Sequence, residues 1–236
     1  MTERHIVAIG SGGFSMDDPM LDAYVLELVD AARPKVCFLP TATSSVSTYV
    51  TRFFEAFPSS AFEPSFLDLF DRTVADLESF LGGQDVIYVG GGNTANLLAI
   101  WRVHGMDRAL RAAWEGGVVL CGASAGANCW FEASTTDSFL AHRSDPLTDG
   151  LGLLSGSFCP HYDGEKERRP SFHRLIAAGT LPPGVACEDL VAAHFVGTDL
   201  HEVVTARAGA AAYRVSPGDG DGVAVEERLP TRPLRS

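Results

Sequence analysis

Four stretches of this 236-residue chain, "HIVAIG", "KVCFLP", "QDVIYVG" and "GVVLCG", are apolar along most of their length instead of at every second position. A strand with one wet face alternates, whereas a continuously apolar strand must be covered on both faces. Between these runs lie segments of helical length and spacing: "DDPMLDAYVLELVDAAR", "VSTYVTRFFEAF", "TVADLESFL", "NTANLLAIWRVHG" and "MDRALRAAWEGG". The alternation predicts an α/β fold, a mostly parallel sheet with helices on both faces. Asp18 followed by Pro19 is the expected start of the first helix. The last third differs, because "GVACEDLVAAHFVG", "HEVVTARAG" and "AAYRVS" read as β structure without helices, a C-terminal antiparallel extension. No repeat or linker divides the chain, so residues 1–216 are expected to form one domain. Residues 217–236, rich in proline, glycine and charge, are expected to be a frayed tail.

The net charge of −12 argues against nucleic acid or an anionic membrane as partner, since both attract basic patches. The five cysteines (37, 121, 129, 159 and 187) are scattered and form no C-x-x-C, which argues against a disulfide scaffold and a zinc ribbon. No metal and no cofactor are expected. The opening "MTERHIVAIG" lacks a signal-peptide core, and no apolar run reaches membrane-spanning length, so a cytoplasmic location is expected. A homo-oligomer is compatible with the sequence.

Three glycine-rich turns follow strand-like runs, where open α/β sheets place their ligands. "GSGGF" (10–14) does not complete G-x-G-x-x-G, and no acid follows the second strand, so a dinucleotide is disfavoured and tight packing preferred. "VGGGNTANLL" (89–98) can aim N–H groups at an anion or a developing oxyanion, with Gly91 and Gly92 as donors and Asn93 as helix cap. "GVVLCGASAGANCWF" (117–131) contains G-x-S-x-G with a strand before it and a helix-compatible run after it. That context is the one a nucleophile elbow requires: Ser124 projects from the turn while the N–H of Ala125 faces the forming oxyanion.

A serine hydroxyl needs a base. Of the seven histidines, His161 in "GSFCPHYDGE" lies in a loop that can cross the top of the sheet, with His142 in "LAHRSDP" its nearest rival. His194 and His201 fall in the C-terminal β region.

Taken together, "YVGGGNTANLL", "GASAGAN", "STTD" and "CPHYDGE", in this order and at these separations, resemble the peptidase E family of serine peptidases, with cyanophycinase as a more distant relative. The resemblance implies a class I glutamine amidotransferase-like fold. It further implies Ser124 as nucleophile, His161 as base, and an oxyanion hole from Gly91/Gly92 with Ala125. As triad acid it implies Asp137 in "STTD" or Glu188 in "GVACED", of which Glu188, a carboxylate at a strand end, is favoured. The expected activity is hydrolysis of dipeptides or short peptides, with N-terminal aspartate as the family's best-known preference. An aspartyl substrate needs a cation, and "GEKERRPSFHR" supplies Lys166, Arg168, Arg169 and Arg174, of which Arg169 is the expected clamp. Asn93 is a second substrate-binding candidate. Two rival readings remain: an α/β-hydrolase-type esterase whose histidine comes late, and a non-catalytic binder of small anions on the glycine nest.

Overall fold

The computed structural model describes residues 3–16, 18–220 and 222–235. Along the first half run β1 (His5–Ile9), a 3-10 turn (Gly13–Met16), α1 (Pro19–Leu26), β2 (Lys35–Leu39), α2 (Val46–Ala56), β3 (Glu63–Phe66) and α3 (Leu77–Gly82). They are followed by β4 (Val86–Val89), α4 (Thr94–His104), α5 (Met106–Glu115), β5 (Val119–Ala123) and the single turn α6 (Ala125–Asn128). The second half adds β6 (Phe131–Thr136), β7 (Asp145–Leu147), β8 (Leu154–Cys159), α7 (Arg168–Ala177) and β9 (Gly184–Cys187). The chain closes with β10 (Val191–Val196), β11 (Asp199–Thr205), β12 (Ala212–Pro217), β13 (Ala224–Arg228) and β14 (Thr231–Pro233).

Local signals start and stop the helices as the sequence demands. Asp18 Oδ1 accepts from Met20 N–H at 2.9 Å, with Pro19 opening α1. Such a cap is worth about 1 kcal/mol. Asp17, which begins the expected helix, lies outside the described residues. The helix stops at Leu26, short of Arg33, and the chain turns toward β2 through Pro34, which disfavours helix in the residue before it. Gly105, at φ 74°, separates α4 from α5 in a left-handed conformation that suits glycine.

The strands form an eight-stranded sheet in the order β14-β11-β10-β1-β5-β4-β2-β3. From β1 to β3 every pairing is parallel; β10 pairs antiparallel with β1 and with β11. Continuous apolarity has the predicted consequence: along β1, Ile6 and Ala8 pack into one core while Val7 and Ile9 pack into the other. Leu21, Tyr24 and Val25 of α1 and Phe53 of α2 share the second core. Leu97, Leu98 and Trp101 of α4 and Leu110 and Trp114 of α5 share the first.

Strands β6 to β9, unforeseen but for β9, build with β12 and β13 a second, six-stranded sheet, in the order β13-β12-β9-β8-β6-β7. Phe131, Leu154 and Phe158 join it to the first core, and α7 covers its other side through Phe172 and Ile176. The tail expected to fray instead carries β13, antiparallel to β12, and β14, parallel to β11. Backbone pairing holds this polar segment where its composition offers no apolar stripe. Asp221 and Ser236 lie outside the described residues.

Candidate active site

Ser124 follows the last residue of β5 and has φ 56° and ψ −114°, a conformation that costs roughly 1–3 kcal/mol for a residue with a side chain. The turn survives because its glycines let backbones touch. A Cβ on Gly122 would strike the carbonyl oxygen of Gly126, and one on Gly126 would strike that of Val89 in β4. Ser124 N–H is fixed by Ile9 O at 3.0 Å, which ties the elbow to the end of β1.

His161 lies in the loop after β8, also at positive φ (52°). Its Nε2 is 2.8 Å from Ser124 Oγ and its Nδ1 is 2.9 Å from Asp189 Oδ1. With Nδ1–H donating to the carboxylate, Nε2 is left to accept the serine proton. The hydrogen bond from His161 holds the Asp189 carboxyl below its ordinary pKa, against the opposing effect of burial. Beside the pair, Glu165 Oε1 is 4.0 Å from His161 Nε2.

The carboxylate beside the His161 imidazole is therefore neither Glu188 nor Asp137, contrary to both expectations. Glu188 faces away: its carboxylate accepts from Ala211 N–H at 3.0 Å and Tyr213 O–H at 3.1 Å, with Arg207 at 3.7 Å. Successive residues leaving a strand point to opposite sides, so one position separates the acid that braces β12 from the one that reaches the imidazole. Asp137 sits 3.4 Å from the buried guanidinium of Arg168, which also bonds Glu165 at 2.6 Å and Thr135 O at 3.0 Å. The only advance sign of Asp189 was the doublet "ED" itself.

Two loops bring His161 and Asp189 together. Tyr162 N–H donates to Cys187 O at 3.1 Å, and Asp189 N–H to Asp163 Oδ1 at 2.8 Å. Arg207 pairs with the other oxygen of Asp163. Gly164 allows the close approach, because a Cβ there would collide with Asp189 Oδ2.

In the triple-glycine loop, Gly91 faces the serine: a Cβ on it would lie 3.4 Å from Ser124 Cβ and 3.9 Å from Oγ. The amides of Gly91 and Ala125 have no hydrogen-bond partner among the described residues. Gly92, at φ 138°, packs against the Ala42 carbonyl. Asn93 caps α4 by accepting from Asn96 N–H at 2.8 Å and donates to Ser138 O at 2.9 Å. Its amide thus ties the start of α4 to the loop at Ser138. Arg169 is likewise engaged: it pairs with Glu226 and lies 5.0 Å from the ring centroids of both Tyr162 and Tyr213. The guanidinium expected to clamp a substrate braces the loop next to His161 instead.

The other histidines lie elsewhere. His194 bonds His5 at 3.0 Å and Tyr24 at 2.6 Å, and the His201 ring meets it edge-on. His173 bonds Tyr162 and Glu226, and His142 is exposed. Cys121, just before the elbow, is fully buried, and burial raises its thiol pKa well above the ordinary value.

A mostly parallel sheet flanked by helices, with a serine at the end of β5 and an imidazole and carboxylate carried to it on loops that follow strands of the second sheet, is an α/β architecture consistent with a class I glutamine amidotransferase-like fold. Residues 6–203 match the model of peptidase family S51, and the chain belongs to that family. An uncharacterized peptidase of Bacillus subtilis (strain 168), YgaJ, is 50% identical over 216 residues, covering 90% of this chain and 92% of the relative. Peptidase E of Streptomyces coelicolor is 29% identical over 131 residues, 56% of this chain and 52% of its own length. In fold, the crystal structure of a peptidase from an acI-B1 Actinobacterium superposes with TM-score 0.70 at 19% identity, over 97% of this chain and 95% of that one. A peptidase E-type protein of Listeria monocytogenes EGD-e superposes at 0.60 and 18% identity, over 97% and 100%. Among the described residues no helix is long and apolar enough to cross a membrane, and no cluster of histidine, cysteine and carboxylate has the form of a metal site.

Proposed function

We propose that this chain is a serine peptidase that hydrolyses dipeptides or short peptides through an acyl-enzyme. The observation that carries this reading is the unbroken line from Ser124 Oγ through His161 to Asp189, at 2.8 and 2.9 Å. Ser124 Oγ attacks the scissile carbonyl carbon while His161 Nε2 takes its proton. The C–N bond then breaks as the imidazolium returns that proton to the leaving amine. Water, deprotonated by the same nitrogen, attacks the ester carbon, and Ser124 leaves with the proton. Asp189 keeps the imidazole in the required tautomer and stabilises its charged form. The unengaged amides of Gly91 and Ala125 are suited to receive the oxyanion, and Gly92 sets the loop that presents the first of them.

Arg168 and Arg169 already face the protein's own carboxylates. That arrangement favours short peptides without a requirement for N-terminal aspartate. Two measurements test the reading. A fluorophosphonate probe is expected to label Ser124 in the wild type and not in His161→Ala, since the hydroxyl then lacks its base. Absence of a label on the wild type would support a non-catalytic anion binder. Hydrolysis rates over Asp-Xaa, neutral dipeptides and simple esters are expected to show peptide turnover at comparable kcat/KM for Asp-Xaa and neutral sequences. Turnover of esters alone would overturn the peptidase assignment.

A further inference from the structure

The first glycine-rich turn, "GSGGF", has no part in the chemistry just described, yet it lies directly behind the acid. Gly10 is pressed against the strand end that precedes the acid: a Cβ on it would strike Glu188 O and come within 2.8 Å of Cys187 O. Gly10 N–H donates to Val191 O at 2.8 Å, and Leu190 N–H to Ser11 O at 2.8 Å. The turn therefore grips residues 187–191 on both sides of Asp189. Within this grip the buried hydroxyl of Ser11 donates to Asp189 Oδ1 at 2.7 Å, the same oxygen that receives His161 Nδ1–H. Met16 Sδ, 3.1 Å from Ser11 Oγ, is the other acceptor in reach. A hydroxyl has one proton, and an ionised carboxylate holds it more strongly than a thioether sulfur does.

We propose that Ser11 is a positioning residue for the hydrolysis, fixing the Asp189 carboxylate so that Oδ1 stays in line with His161 Nδ1. A carboxylate with one donor can rotate about its Cβ–Cγ bond and present either oxygen. With two donors converging on Oδ1, and Oδ2 lying over Gly164, one orientation is selected. This inference rests on the proposed triad, and Ser11 acts only through Asp189.

The test is a double-mutant cycle on purified full-length protein with a hydrolysed dipeptide, comparing wild type, Ser11→Ala, Asp189→Asn and the double variant. Ser11→Ala is expected to lower kcat about tenfold with KM within about twofold, the size expected for a lost charge-assisted hydrogen bond. On the Asp189→Asn background, assayed at high enzyme concentration, the same change is expected to cost less than about twofold. Met16→Leu is expected to keep the wild-type kcat. The inference is overturned if Ser11→Ala leaves kcat intact, if its loss is equal on both backgrounds, or if Met16→Leu reproduces it. Should Ser11→Ala not fold, Ser11→Cys, a similarly small but weaker donor, carries the same cycle and the same criteria. Ser124→Ala and His161→Ala separate this from the parent reading: turnover by either sinks the triad itself, whereas their inactivity leaves the Ser11 result to decide on Ser11.

Discussion

The two flanks of the molecule contribute to the site in different ways. The parallel flank, β1, β5 and β4, supplies Ser124, Gly91 and Ala125 from two turns in which glycine contacts replace side chains. These turns are held by close backbone contacts: Ser124 N–H bonds Ile9 O, Gly126 lies against Val89 and Gly92 against Ala42. The antiparallel flank and the second sheet supply His161 and Asp189 from loops 28 residues apart, held by side-chain and backbone bonds between the loops. The serine thus sits in a strained turn, whereas the imidazole and the carboxylate beside it are brought together by assembly. The difference predicts that elbow substitutions act through strain and chemistry at one point, whereas the His161–Asp189 pair depends on remote braces.

Ser124→Ala tests the first half most severely. It is expected to remove turnover by at least about 10³-fold while leaving the melting temperature close to that of the wild type, read by steady-state kinetics and thermal unfolding. Next comes the pair of adjacent acids. Asp189→Asn is expected to lower kcat by about 10³- to 10⁴-fold, by analogy with the loss of the tautomer-fixing carboxylate in other triads. Glu188→Gln is expected to change kcat less than about fivefold and to act mainly on stability, through Ala211 and Tyr213. Equal losses at 188 and 189 would break the distinction between bracing and chemistry.

A smaller effect separates the flanks by pH. On the antiparallel flank, burial first and then the neighbouring His5 and His201 depress His194 to about 4, from an ordinary 6.5. The folded state then binds fewer protons than the unfolded one between these values, so stability falls as pH drops from 6.5 toward 4. Glu202, held at about 2 by Arg232, adds its own acid loss only below its ordinary 4.5, which leaves the window from 6.5 to 4.5 free of it. On the parallel flank the sign reverses. Burial raises Asp22 to about 7 from 3.8, so the fold retains a proton that the unfolded chain releases, and stability falls as pH rises through that range. Because the two windows overlap with opposite signs, they offset each other in the wild type, and melting temperatures of single variants separate them. Asp22→Asn is expected to gain on the wild type from pH 5 to about 7 and then to level off, and an unchanging difference would refute the buried acid.

The smallest expected effect concerns Arg169. Arg169→Ala is expected to cost about 1 kcal/mol of stability through the lost contacts with Glu226, Tyr162 and Tyr213. Kinetics on Asp-Xaa and neutral dipeptides are expected to change in parallel. Selective loss of Asp-Xaa turnover would restore the clamp.

How much of this was legible depends on how far each interaction reaches along the chain. The helix starts at Asp18 and Asn93 depend on neighbours within three residues, and the letters announced them. The elbow was equally legible, since its two glycines and its strand are contiguous. The second sheet was legible only in β9 and β12, because strands such as β6 and β8 are mixed in polarity and pair with partners remote in sequence. Strands β13 and β14 escaped for the same reason: hydrogen bonding to β12 and β11 supplies what their composition lacks. Arg169 shows the matching failure among side chains, because an available charge in the sequence became a paired one once Glu226 arrived from 57 residues away.

By itself, the order of residues pointed to the class of fold, the tight turn at 124, the glycine loop that faces it and, as first choice, the histidine that lies beside it. Only the folded chain decided which carboxylate stands behind that histidine and that a serine from the first turn stands behind the carboxylate. The reason is physical. A backbone turn is dictated by sterics among adjacent residues, whereas a hydrogen bond between residues 11, 161 and 189 exists only after two sheets have packed and fixed which side of a strand end each side chain occupies.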